Sequence, residues 1–238
     1  MVRPAFTMIE LIFALVIMGI VFVSLPLILI NNAKSIEDNL IQESIFLTSS
    51  KITQIMSFQW DNSSSETGTG MLAASDVVNV TAGAAALVRN ATTDFRVGHF
   101  QQDKRRRMTP VGNPRFATPV GPDVNDAGIF DDVDDFHGQT DAALVQSASA
   151  LTSGSGYKKA YRTNTTVTYV DDDAGGTFFN GNTVQNFIFT TAAAGGTTNL
   201  KMIEVSVDQN NSGDWDTTLL LRAYVANIGE TDYHKRRY

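Results

Sequence analysis

Hydrophobic positions run without a charge from Leu11 to Ile30, broken only by Gly19, Ser24 and Pro26. Wound as a helix at about 1.5 Å per residue, that stretch spans roughly 30 Å, the thickness of a bilayer's hydrocarbon core. Beyond it the pattern changes to a stripe. Ile41, Ile45, Thr48, Ile52 and Ile55 recur at steps of three and four, while Lys34, Glu37, Asp38, Glu43 and Lys51 fall on other faces. The two patterns join into one predicted helix over residues 6–59, roughly 80 Å long at 1.5 Å per residue. Pro26 is expected to kink it, because proline has no N–H and crowds the preceding turn. The helix should end near Trp60-Asp61-Asn62, where a Ser-rich loop with Gly68 and Gly70 begins.

The later chain reads with a period of two. Thr166–Val170, Val184–Thr190, Leu200–Val207 and Thr217–Ala226 are rich in β-branched and aromatic residues. Ile203, Val205 and Val207 alternate with Met202, Glu204 and Ser206, as in a half-buried strand. Leu219, Leu221, Ala223 and Val225 alternate in the same way with Leu220, Arg222, Tyr224 and Ala226. Gly195-Gly196 and Asn211-Ser212-Gly213 supply turns. Residues 71–100 fit a short helix or strands equally. The expected fold is α+β: a long N-terminal helix whose distal half packs on an antiparallel sheet of about four strands.

Glu10 sits one residue before the apolar run, where a carboxylate is costly to desolvate. A cleaved secretory signal has a shorter core and a small-x-small site after it, and Leu27-Ile28-Leu29-Ile30-Asn31-Asn32 offers none. A plain membrane anchor fits the length but gives Phe6 and Glu10 no task. Ala5-Phe6-Thr7-Met8-Ile9-Glu10-Leu11 closely resembles the leader junction of type IV pilins and pseudopilins. The resemblance implies cleavage before Phe6 by a prepilin peptidase on the cytoplasmic face, with methylation of the new amine. It also implies assembly with other pilin-like subunits through the helix, Glu10 pairing with a neighbour's N-terminal amine. Residues 1–5 would be the leader, 6–30 the transmembrane helix, 31–60 its amphipathic continuation and 61–238 a β-rich head. The chain would first sit in the bacterial inner membrane, single-pass with its head periplasmic, and then in a periplasmic or extracellular filament. Two departures stand out. Ala5 occupies the place where the family usually has Gly, and Pro26 lies one residue nearer Phe6 than the commonest spacing. Arg3 alone gives the leader its positive charge.

Composition narrows the function classes. The chain has 238 residues, no cysteine and a formal charge of −7. Thiol chemistry and disulfides are therefore excluded, and the acidic balance argues against nucleic acid as a general partner. Gly, Ser, Thr, Asn and Asp are abundant after residue 60, in the manner of an exported, loop-rich domain.

Two acidic segments raise Ca²⁺ as the one candidate cofactor. Asp208-Gln209-Asn210-Asn211-Ser212-Gly213-Asp214-Trp215-Asp216 places Asp208, Asn210, Ser212, Asp214 and Asp216 at alternate positions, like the start of a calcium loop. Leu219 stands where such a loop needs a bidentate Glu, so a polar hairpin turn is the favoured reading. The other segment is Asp131-Asp132-Val133-Asp134-Asp135-Phe136-His137-Gly138. It resembles a motif of accessory pilin-like proteins such as those of MSHA-type pili. Its carboxylates read as a calcium loop or as a solvated acidic loop facing Lys104-Arg105-Arg106-Arg107. His99, His137 and His234 have no metal-ligand spacing, and no Walker loop, dinucleotide fingerprint or Ser-His-Asp context occurs. The expectation is a structural, non-enzymatic subunit of a type IV pilus or type II secretion filament, minor by its long acidic head. The alternative is a membrane-anchored periplasmic module that binds calcium or another ligand and never polymerises.

Overall fold

The computed structural model describes residues 7–65, 75–83, 106–109, 112–123, 128–142, 161–172, 179–180, 183–184, 189–209 and 218–229. Two compact units make up the chain, Met1–Ile45 and Phe46–Tyr238. Helix α1, Met8–Met56, starts in the first and ends in the second.

In the first unit the helix is long and apolar enough to cross a membrane. Its large side chains, among them Ile9, Phe13, Ile17, Phe22 and Leu29, are exposed on every face. The helix begins where the N–H groups of Glu10 and Leu11 donate to the Thr7 carbonyl. Thr7 and Glu10 stand at the three-residue spacing of a capping box, and an acid in the first turn favours the helix dipole. The helix continues through Pro26 as one element, with the Ser24 hydroxyl donating to the Val21 carbonyl one turn back.

The second unit is α+β. Its sheet has the order β1-β2-β5-β6, antiparallel throughout: β1 Thr140–Ala142, β2 Tyr161–Tyr169, β5 Leu200–Gln209 and β6 Leu219–Ala226. Two short strands, β3 Phe179–Asn180 and β4 Thr183–Val184, pair only with each other. In β2 the inward residues are Tyr161, Thr163, Thr165, Val167 and Tyr169. Register sets Val167 opposite Ile203, Thr165 opposite Val205 and Tyr169 opposite Lys201. The last turns of α1 lay Ile52 and Ile55 on this face, where they meet Val133, Phe136, Val167, Ile203 and Val205 in one core.

Three expectations need correction. The buried stripe of α1 passes through Ser44 and Thr48, and Ile45 is 43% exposed. The stripe runs at steps of four there, which leaves Ile45 one position off the covered face. Among the described residues the fourth strand of the main sheet is β1; of the expected strand Val184–Thr190, Val184 belongs to β4 and residues 185–188 lie outside the described residues. Phe189 packs against Tyr224 with tilted rings 4.5 Å apart, and the Tyr224 hydroxyl donates to the Thr190 carbonyl. The Asp131–Gly138 segment is not a solvated loop, for Asp132, Val133, Asp134, Asp135 and Phe136 are all buried. The turn Asn211-Ser212-Gly213 lies outside the described residues.

Candidate functional site

The interior of the second unit holds a lysine. Alternation along β5 places Lys201 on the same face as Ile203, Val205 and Val207, and its side chain is fully buried. Its Nζ donates to the Trp60 carbonyl at 2.6 Å, to Asp134 Oδ1 at 2.5 Å and to Asp61 Oδ2 at 3.4 Å. The rings of Trp60 and Tyr169 flank the ammonium, with centroids 4.3 and 5.1 Å away. A buried ammonium needs this many partners, because each unmet donor in a dry interior carries its full desolvation penalty.

Asp61 arrives from the end of α1. It caps the short 3₁₀ turn Asn62–Ser64 through Oδ1, which accepts from the Ser63 N–H at 2.9 Å. Its Oδ2 accepts from the Thr118 N–H at 2.9 Å, from the Thr118 and Tyr169 hydroxyls at 3.3 Å each, and from Lys201. Five donors thus converge on one buried carboxylate.

Asp134 arrives from the acidic motif, whose four carboxylates do different work. Asp132 Oδ1 accepts from the N–H groups of Asp134 and Asp135, and Asp135 Oδ2 accepts from those of Asp131 and Asp132. This reciprocal pairing three residues apart is the logic of a capping box, and it starts the 3₁₀ turn Asp134–Phe136. Asp132 Oδ2 also accepts from the Asn62 N–H at 2.6 Å, and the Val133 N–H donates to the Gln59 carbonyl. The motif is in this way stitched to the chain leaving α1, with Asp134 turned toward Lys201. Gly138, at φ +74°, closes the segment by donating to the Thr165 carbonyl. The next residue inward, Phe136, meets Phe58 edge-to-face at 5.0 Å and stacks on Phe130 at 4.8 Å.

Burial and the adjacent Asp134 charge push the Asp132 carboxyl up to about 9, against the pull of Lys201. Burial likewise raises Asp134, with Lys201 opposing it, and raises the Tyr169 phenol. At neutral pH the cluster therefore keeps a proton among its acids and does not face Lys201 with three full negative charges.

The sequence-chosen residues are distributed as follows. Glu10 lies in the exposed first turn of α1, and Ala5 and Phe6 lie outside the described residues. Asp208, in β5, binds the Arg162 guanidinium through both oxygens at 3.1 and 2.9 Å. Asn210, Ser212, Asp214 and Asp216 are outside the described residues, as are His99 and His234. His137 Nδ1 lies 2.7 Å from the Val167 carbonyl. In the acidic motif, one oxygen each of Asp131, Asp132 and Asp135 comes within 4.8 Å of the others. The oxygens of Asp132 and Asp135 already accept main-chain N–H groups, so the arrangement described is a cap. Of the basic run expected to face this motif, Lys104 and Arg105 lie outside the described residues. Arg106 donates to the Gly229 carbonyl, and Arg107 joins Arg115 around the buried Asp76.

Sequence reading missed Lys201, Asp61 and Tyr169. The available signal was parity: extending the Ile203–Val205–Val207 series back by two positions puts a lysine in the core. Comparison with protein-family models, with curated proteins and with solved structures gives no match.

Proposed function

We propose that the chain is a pilin-like structural subunit, minor in its filament, of a type IV pilus or type II secretion system. The observation that carries this reading is the first unit. A helix apolar on all faces and exposed on all faces needs apolar surroundings, first lipid and then neighbouring helices. Glu10 is its last charge before Lys34. The Ala5-Phe6…Glu10 junction adds the processing step: a prepilin peptidase removes residues 1–5, and Phe6 becomes the amine-bearing N-terminus.

Assembly then has an electrostatic register. Opposite charges about 4 Å apart attract by about 4 kcal/mol at an effective dielectric near 20. The Glu10 carboxylate of one subunit meeting the terminal amine of its neighbour therefore favours one axial stagger over others. The second unit, with its buried lysine cluster, supplies a head held together without cysteines, on the periplasmic side of the inner membrane and then on the filament surface.

Replacing Glu10 by Ala tests the reading. A filament subunit stays in the membrane fraction but disappears from sheared filaments. A membrane-anchored binding module that never polymerises behaves the same with or without Glu10.

A further inference from the structure

We propose that Lys201 and Asp134 form an intramolecular amide cross-link. The amine nitrogen stands 2.5 Å from a carboxyl oxygen, and both side chains are 1% exposed or less. Aromatic rings of Trp60 and Tyr169 wall the pair. A further carboxyl lies at hand: Asp61 Oδ2 is 3.4 Å from Nζ. The Thr118 hydroxyl donates to Asp134 Oδ2, the oxygen turned away from the amine. An amine, an acid, a proton carrier and a donor for the oxygen that stays are thus assembled in one dry place.

The step balances without an oxidant or a co-reactant. A proton shifts from Nζ to Asp134, giving a neutral amine and a neutral acid. The nitrogen lone pair attacks Cγ of Asp134, and the negative charge that develops on Oδ2 is met by the Thr118 hydroxyl. Asp61, which shares the Lys201 amine with Asp134, takes a proton from nitrogen and returns it to the departing oxygen, and water leaves as the C–O bond breaks. In sum an ammonium and a carboxylate become an amide N–H and one water.

Two forces favour the product. Groups fixed in contact react with effective molarities of about 10⁵–10⁸ M. Buried ions are costly to keep from water, and the amide abolishes one of each sign. Burial also raises the Asp134 carboxyl toward the neutral acid that an amine attacks. The bond would tie the centre of the sheet to the motif that is stitched to the end of α1, in a chain with no cysteine to bridge. The inference stands on the second unit alone, independent of filament assembly.

The test is the intact mass of the full chain extracted from membranes in detergent, wild type against Lys201→Arg, each compared with its own sequence. N-terminal processing shifts both alike and cancels in the comparison. The wild type is expected one water lighter, and its protease digest should contain the Lys201 peptide joined to the Asp134 peptide. A wild-type chain of full mass, with Lys201 in a linear peptide, overturns the proposal. So does a water loss that maps to any other residue. The digest of the wild type decides the matter even if the arginine variant fails to fold.

Discussion

Asp61→Ala should be among the most damaging substitutions in the second unit. The alanine removes the acceptor of five donors, but not all are equally stranded. Tyr169 keeps the Thr118 carbonyl at 2.7 Å, Lys201 keeps Trp60 and Asp134, and the Thr118 hydroxyl keeps Asp134. The N–H groups of Ser63 and Thr118 lose the carboxylate that each donates to at 2.9 Å. Each stranded donor costs about 1–3 kcal/mol, and together with the lost capping charge the total is about 4 kcal/mol. Domains of this size have only about 5–15 kcal/mol of stability, so the effect is large. Asp61→Asn keeps one accepting oxygen and should cost about half as much. The assay is urea unfolding of the full chain in detergent, read by Trp60 emission after Trp215→Phe leaves it the only tryptophan. Midpoints convert to free energies through a shared slope. Glu204→Ala is the control, since its pair with Arg222 is partly solvated and should contribute under about 1 kcal/mol. If Asp61→Ala moves the midpoint no further than Glu204→Ala, the hub reading is refuted.

Other perturbations follow from the same geometry. Asp132 titrates at about 9 in the folded chain and near 4 when unfolded. The folded state thus holds a proton that the unfolded chain releases above about pH 4, and its stabilisation is lost as pH rises toward 9. Unfolding free energies from urea midpoints should fall from pH 5.5 to pH 8 by up to about 1.4 kcal/mol per pH unit, and Asp132→Asn should flatten that slope. A midpoint that rises with pH would contradict the assignment. Gly229 has φ +61°, and an added Cβ would lie 2.8 Å from the Arg107 carbonyl oxygen and 2.9 Å from the Val77 nitrogen. Gly229→Ala should therefore destabilise by about 2 kcal/mol or more in thermal melts, because main-chain atoms cannot step aside. Ile203→Ala opens a cavity at a fully buried position, and a loss of about 2–5 kcal/mol is expected by the same urea assay.

Local pattern made part of this molecule legible. A continuous apolar run and a stripe at steps of three and four are both helix signals, and α1 spans them. The parity of Ile203, Val205 and Val207 correctly gave the inward face of β5. Strand β1 was not legible: Thr140-Asp141-Ala142 has too few residues for a period and pairs on one edge only. Ile45 misled because apolar character alone does not say which of two adjacent positions is covered. The acidic motif was conspicuous, yet its burial could not be read from it. Its counter-charge lies 67 residues away, and Asp61 lies 140 residues from the same lysine. A lysine in a strand ordinarily faces water, and parity with Ile203, Val205 and Val207 is the one local signal that this one does not.

The most direct test of the filament reading is the mass of the membrane-extracted protein, with and without a co-expressed prepilin peptidase. A pilin-like subunit should lose Met1–Ala5 and gain one methyl group on Phe6 only when the peptidase is present. An N-terminus that is unprocessed in both samples would contradict that reading and leave a chain that is anchored and solitary.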